Sequence, residues 1–183
     1  MIGPPPLRRL TGDARGVALI EFALSLPILI LMYLGAFQIS DAISCNRKVT
    51  ITTRSVADLT SRYATLSSSD LTSILNASTQ IMAPYDASNA TVVVSQLATD
   101  INGNTTIDWS QANQGSGHTP TQSYTLPTTI KKLPTNATDK TYIIVAEVSY
   151  AYRPLFNFGI ISPITLHDTI YMYPRISNSV VKS

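Results

Sequence analysis

One uninterrupted apolar run, Val17 to Ile39 (VALIEFALSLPILILMYLGAFQI), constrains this chain more than any other feature. As a helix its 23 residues reach roughly 34 Å, enough to cross a hydrocarbon core of about 30 Å. The run predicts a single membrane span. The remainder of the 183 residues suffices for one further core of moderate size. A lone carboxylate, Glu21, sits near the start of the run. On insertion scales such a group costs roughly 2.5 to 3.5 kcal/mol near the bilayer centre and less towards an end. A charge kept there needs a partner and a purpose. Pro27 also lies inside the run. It leaves the carbonyl of Ala23 without its helical donor and predicts a kink, unless Ser25 or a neighbouring helix supplies a substitute.

Upstream lies a basic leader, residues 1–16, with Arg8, Arg9 and Arg15. Three readings compete for leader and span together. A simple signal anchor would use the arginines to hold the N-terminus in the cytoplasm, although Arg47, Lys48 and Arg54 follow on the far side. A removed secretory signal fits poorly, because the run exceeds an ordinary signal core. Its candidate cut sites, Ser40-Asp41-Ala42 and the faint lipobox Ala42-Ile43-Ser44-Cys45, have the wrong flanks. The third reading explains more residues. A cut after Gly16 would place a new amino group on Val17, four residues before Glu21 and on the same helix face. That amine titrates near 8 and is cationic at neutral pH, so Glu21 becomes its counter-charge, favoured modestly by the helix dipole. A glycine before the cut lets the backbone approach an enzyme surface closely.

Composition narrows the function classes. Charged residues are 13% of the chain, about half the usual share, and Ser, Thr, Asn and Gln take their place. A net charge of +2 argues against nucleic-acid binding. The single cysteine, Cys45, allows no intramolecular disulfide.

After Ile39 the chain turns polar without a breaker, and neither Gly nor Pro occurs between Ala36 and Ala83. Ala42, Val49, Val56 and Tyr63 recur every seven residues, as do Cys45, Thr52, Leu59 and Leu66. This partial stripe predicts that the helix continues as a stem over 40–66, lying on its own domain in preference to forming a coiled coil. Ser67-Ser68-Ser69-Asp70 offers an N-cap, and Leu71, Ile74, Leu75, Ile81 and Met82 predict a short second helix ending before Pro84. The rest of the 67–183 segment reads as strands: Ala90–Thr99, Thr105–Ser110 with Ile107 and Trp109 on alternate positions, Thr141–Tyr152 and Ile164–Tyr173. Asp100-Ile101-Asn102-Gly103-Asn104 is the turn of a hairpin, and a long loop runs from Gln111 to Asp139. The expected fold is α+β: a long N-terminal transmembrane and stem helix followed by a small antiparallel sheet domain.

The string Arg15-Gly16-Val17-Ala18-Leu19-Ile20-Glu21-Phe22 resembles the processing site of type IV prepilin-like proteins. In that family a peptidase cuts after a glycine, glutamate is the fifth mature residue, and a tyrosine or phenylalanine follows it. Gly16, Glu21 and Phe22 match those positions. With the hairpin ending in Trp109-Ser110, the string Val148-Ser149-Tyr150-Ala151-Tyr152-Arg153-Pro154-Leu155 and the closing Pro174-Arg175, the chain is similar to the TadE/TadG-like proteins of bacterial tight-adherence pilus systems. The resemblance implies a minor pilin or pseudopilin with a pilin-like fold. Its partners would be a prepilin peptidase, other pilin-like subunits and inner-membrane platform proteins. It would reside in the inner membrane as a single-pass protein, N-terminus in the cytoplasm and C-terminal domain in the periplasm or on the pilus. The chain is too short for the additional von Willebrand A-type domain of TadG-type members, and Asp86-Ala87-Ser88-Asn89-Ala90 lacks the last serine of that domain's metal motif, which favours the TadE type. The rival reading is an uncleaved, signal-anchored binding module of another envelope complex.

No catalytic constellation is expected, and no metal or cofactor. His167 and Asp168 are adjacent on a strand and point to opposite faces. His118, in a Gly-Ser-Gly-His loop, reads as a solvated side chain. The turn at Asp100 mimics a calcium loop, but Thr105 and Gln111 stand where Gly and Glu are needed. Trp109, Tyr142, Tyr150, Tyr152, Tyr171 and Tyr173 are expected to line core and sheet more than an exposed aromatic face.

Overall fold

A computed structural model describes residues 14–155 and 163–183; the leader arginines Arg8 and Arg9 lie outside the described residues. The chain divides into two units, one up to Asp41 and the other Ala42–Ser183. Helix α1, Ala14–Ser61, supplies the described part of the first unit and the opening element of the second.

In the first unit most of the described apolar side chains face outward. Leu19, Leu24, Met32 and Tyr33 are each about 70% exposed, Leu26 and Phe37 40–45%, and Leu34 is half-buried. The helix is long and apolar enough to cross a membrane. Such a surface is stable only against lipid or against other apolar helices.

In the second unit α1 buries Cys45, Val49, Thr52, Thr53, Val56, Ala57, Thr60 and Ser61. Of the two expected heptad rows, the first three members of one and the first two used positions of the other agree (Ala42 packs at the margin, Val49, Val56; Cys45, Thr52). Leu59 and Tyr63 are instead exposed. A straight helix has 3.6 residues per turn, so a seven-residue repeat drifts round it, and Ala57 and Thr60 take over the contact. The helix ends at Ser61, not Leu66. Thr65–Leu66 is a short strand, β1, paired in parallel with Val181–Lys182 (β6) near the end of the chain. The stop is tertiary: the Arg175 backbone N–H donates to the Ser61 carbonyl (2.9 Å), and Asp58 is gripped by Arg62 (2.6 Å) and Arg175 (2.9 Å).

Helix α2, Ser68–Thr79, begins where the sequence places it. Ser67 is its N-cap: the Asp70 N–H donates to Ser67 Oγ, and the Ser67 N–H donates to the Asp70 carboxylate, each at 3.1 Å. Leu71 and Leu75 are its buried apolar side chains, joined by Ser78 and Thr79 in its last turn, and a 3₁₀ turn, Gln80–Met82, follows.

Four antiparallel strands form the main sheet in the order β3-β2-β4-β5, with β2 Ala90–Thr99, β3 Thr105–Ala112, β4 Thr141–Tyr152 and β5 Ile164–Met172. The first and third match expectation; β3 runs two residues further than predicted and β5 stops one short. One face, with Val92, Val94, Ile144, Ala146 and Val148, packs on α1 and α2. The opposite face carries Leu97, Ile107, Ile143 and Val145 under Leu126 of the long loop, with Tyr124 and Ile130 beside it. Both faces of β2 are therefore covered, which is why its residues are buried almost without alternation. A β-bulge between the Gln96–Trp109 and Leu97–Ile107 pairs leaves Asp108 as the extra residue. It corrects the expected alternation: Ile107 faces the loop and Trp109 the helices.

The C-terminal stretch from Val180 is fastened at this bulge. Trp109 Nε1 donates to the Val180 carbonyl (2.8 Å), the Val180 N–H donates to Gln96 Oε1 (2.7 Å), and Gln96 Nε2 donates to Asp108 Oδ2 (2.7 Å). The aromatic residues divide accordingly. Trp109, Tyr150 and Tyr152 are core, Tyr142 and Tyr171 are half-buried, and Tyr173 is exposed.

Candidate functional site

The residues singled out in the sequence lie on the first turns of α1. Gly16 and Val17 are already helical, and nothing lies within 4 Å of the place where a Cβ on Gly16 would stand. Val17, Glu21 and Phe22 are all exposed. Val17 and Glu21 are one turn apart on one face, as their spacing requires. The helix continues through Pro27. Ser25 does not serve the carbonyl that Pro27 frees. Its hydroxyl donates one turn earlier, to the carbonyl of Glu21 (2.6 Å) and more weakly to that of Phe22 (3.3 Å). The site thus presents a carboxylate on an otherwise apolar rod, with the Gly16–Val17 peptide close by in sequence.

The sheet domain offers a second polar cluster, on the loop-covered face. His118 of the long loop pairs through Nε2 with the Glu147 carboxylate on β4. Tyr124 donates its hydroxyl to the other Glu147 oxygen (3.3 Å) and shares a hydrogen bond with Tyr171 (3.2 Å). Burial, then the Tyr171 hydrogen bond and the Glu147 charge, push the Tyr124 hydroxyl far above its ordinary range. His118 is therefore a latch residue holding loop to sheet, a correction to its reading as a solvated side chain. No short-range signal links it to Glu147, which lies 29 residues away. His167 faces the same side of the sheet and bonds Ser149 (2.8 Å) and Thr169 (3.0 Å). Asp168, its neighbour in sequence, accepts from the Thr169 backbone N–H.

At the hairpin turn the Asp100 carboxylate is used locally: the backbone and side-chain N–H groups of Asn104 donate to its two oxygens at 2.7 and 3.1 Å. Gly103 takes the left-handed conformation, φ 81°, that the turn requires. Among the described residues no cluster of His, Cys, Asp and Glu could hold a metal ion. An open polar cleft of about 800 Å³ lies beside Lys132, Lys140, Tyr142 and Tyr173 and has no histidine in its lining.

The comparisons with known proteins fall on the helix. The family model described as TadE-like protein matches residues 16–58. This segment of the chain is TadE-like. The match begins at Gly16 and ends three residues before α1 does, so it takes in Gly16, Val17, Glu21, Phe22 and Pro27 and leaves out the sheet domain. No curated protein and no solved structure matches the chain.

Proposed function

We propose that the chain is a TadE-like minor pilin, or pseudopilin, that takes part in assembling a tight-adherence pilus. It is made as a precursor and cut after Gly16 by a prepilin peptidase. The mature helix from Val17 holds it in the bacterial inner membrane, with the sheet domain outside the cytoplasm. It works by packing, without catalysis. Its apolar stem lies against the stems of other pilin-like subunits and inner-membrane platform proteins. Glu21 pairs with the new amine of Val17, in its own chain or in the next subunit, and so sets the axial register of the stack.

The observation that carries this reading is a coincidence of position. The TadE-like match covers the same exposed apolar helix that bears one carboxylate four residues after Val17. An isolated anchor has no need of that carboxylate, whereas a proteolytic amine at Val17 gives it a counter-charge. Intact mass or N-terminal sequencing of the membrane-extracted protein tests the cut: the mature form starts at Val17, and retention of Met1 selects the uncleaved signal-anchored module. Glu21→Ala tests the pairing. Insertion into the membrane stays intact, while incorporation into the assembly drops about tenfold or more, the scale of loss when one member of a poorly hydrated ion pair is removed. Normal incorporation of the variant would refute the role.

A further inference from the structure

The part of α1 that belongs to the second unit has two faces. One is the buried stripe from Cys45 to Thr60. Opposite it lie Ile43, Arg47, Ile51 and Arg54, spaced at four, four and three residues along roughly 16 Å of helix. Ile43 and Ile51 are each 51% exposed, and both arginines are exposed. The three cations of this stretch, Arg47, Lys48 and Arg54, have no carboxylate within ion-pair distance among the described residues. That contrasts with the next turns, where Asp58 is shared by Arg62 and Arg175. Two isoleucines alternating with two unanswered arginines at helical spacing form a seam for another helix.

The occupant follows from charge. A second copy packed side by side would set Arg47 and Arg54 against their own like charges. An axially shifted copy would find no answering carboxylate on this stretch either, because Asp58, the one acid of α1 between Ala42 and Ser61, is already engaged. A lipid surface answers one end at most: the stripe alone runs roughly 16 Å along the helix, about twice the depth of a headgroup layer. We infer that the Ile43–Arg47–Ile51–Arg54 stripe docks an amphipathic helix of a different chain, one that carries carboxylates beside its apolar residues. The inference rests on the assembly reading above and deepens it: this subunit stands between unlike neighbours and does not stack on itself.

A photocrosslinking side chain at Ile51 of the full-length protein, in its native membrane, reads the occupant directly. The expected adduct maps to a helix of a different chain with Asp or Glu within a turn of the crosslinked position. Arg47→Glu with Arg54→Glu should lower its yield about tenfold, and reversing the partner's acids to lysine should restore it. An adduct to a second copy, an adduct to lipid, no adduct, or a yield that ignores charge reversal overturns the inference. The N-terminus of the same sample separates the two readings. A start at Val17 with no heterotypic adduct removes the docking face alone, while Met1 retained with the adduct intact removes the pilus reading alone.

Discussion

Ser67 and Asp70 show how much a short polar string can determine. Four residues, Ser67-Ser68-Ser69-Asp70, mark the start of α2 in the sequence, and the reciprocal cap is made by the first and last of them. The pair also has a titration signature. The Ser67 hydroxyl, then its backbone N–H, hold the Asp70 carboxyl below its ordinary value of 3.8. A group whose pKa is depressed on folding adds stability above its unfolded value and loses it as pH falls through the folded one. The cap is therefore complete at pH 5 and above and weakens progressively below about 4. In Ser67→Ala the Asp70 pKa, followed by NMR, returns towards 3.8, and helix stability falls by about 1 kcal/mol. An unchanged Asp70 titration in that variant would show that the serine does not set it. Gln96 is the opposite case. A buried glutamine in a valine-rich strand reads from sequence as an error in an apolar pattern. Its amide is matched only by Val180 and Asp108, 84 and 12 residues away, so nothing local announces it.

Among the elements, legibility follows the range of the forces involved. β2 and β4 carry dense β-branched runs bounded by turn residues, and their limits are readable to the residue. The end of α1 is not, because Arg175 and β6 impose it from the other end of the chain. The buried face of α1 was legible as a stripe but not in detail, because the seven-residue rows carry no information about drift. That face is also more polar than a helix needs. Thr52 and Thr60 are fully buried, and neither hydroxyl finds a hydrogen-bond partner. An unmade hydrogen bond of this kind costs about 1 to 3 kcal/mol, while valine has nearly the same shape and helix propensity. Thr52→Val and Thr60→Val should each stabilise the protein by about 1 kcal/mol, seen as a rise in the melting temperature of the detergent-solubilised chain. A fall in either variant would mean that the hydroxyl is satisfied after all, by water or by the turn before it.

At the scale of the whole molecule, the TadE-like segment is the part that the sequence announces, and the sheet domain is closed by contacts that it does not. Apolar length, one acid and a glycine are local features, so the span and its candidate processing site could be read in a single pass. The closure of the sheet domain joins three distant stretches. Residues 180–183 meet Gln96 and Trp109 at the bulge, and the Val181 and Ser183 N–H groups donate to the carbonyls of Ala64 and Leu66, each near 3 Å. Ending the chain at Ser179 would remove one turn's worth of residues and leave the Trp109 indole N–H, the Gln96 carbonyl and two backbone carbonyls without partners, with Leu66 and Trp109 uncovered. Three of these groups, on Trp109, Gln96 and Leu66, belong to buried residues and cost about 1 to 3 kcal/mol each, so the loss reaches roughly 3 kcal/mol or more, a large share of the 5 to 15 kcal/mol typical of a domain. Because Trp109 is the only tryptophan, its fluorescence reports the closure specifically. The truncated chain should show red-shifted emission and a denaturation midpoint well below that of the full chain, whereas Lys182→Ala, which removes a half-exposed amine bonded to Gln111, should change neither appreciably. Unshifted emission after truncation would mean that the sheet and helices hold Trp109 by themselves, and that the C-terminal residues are a passenger on a core already closed.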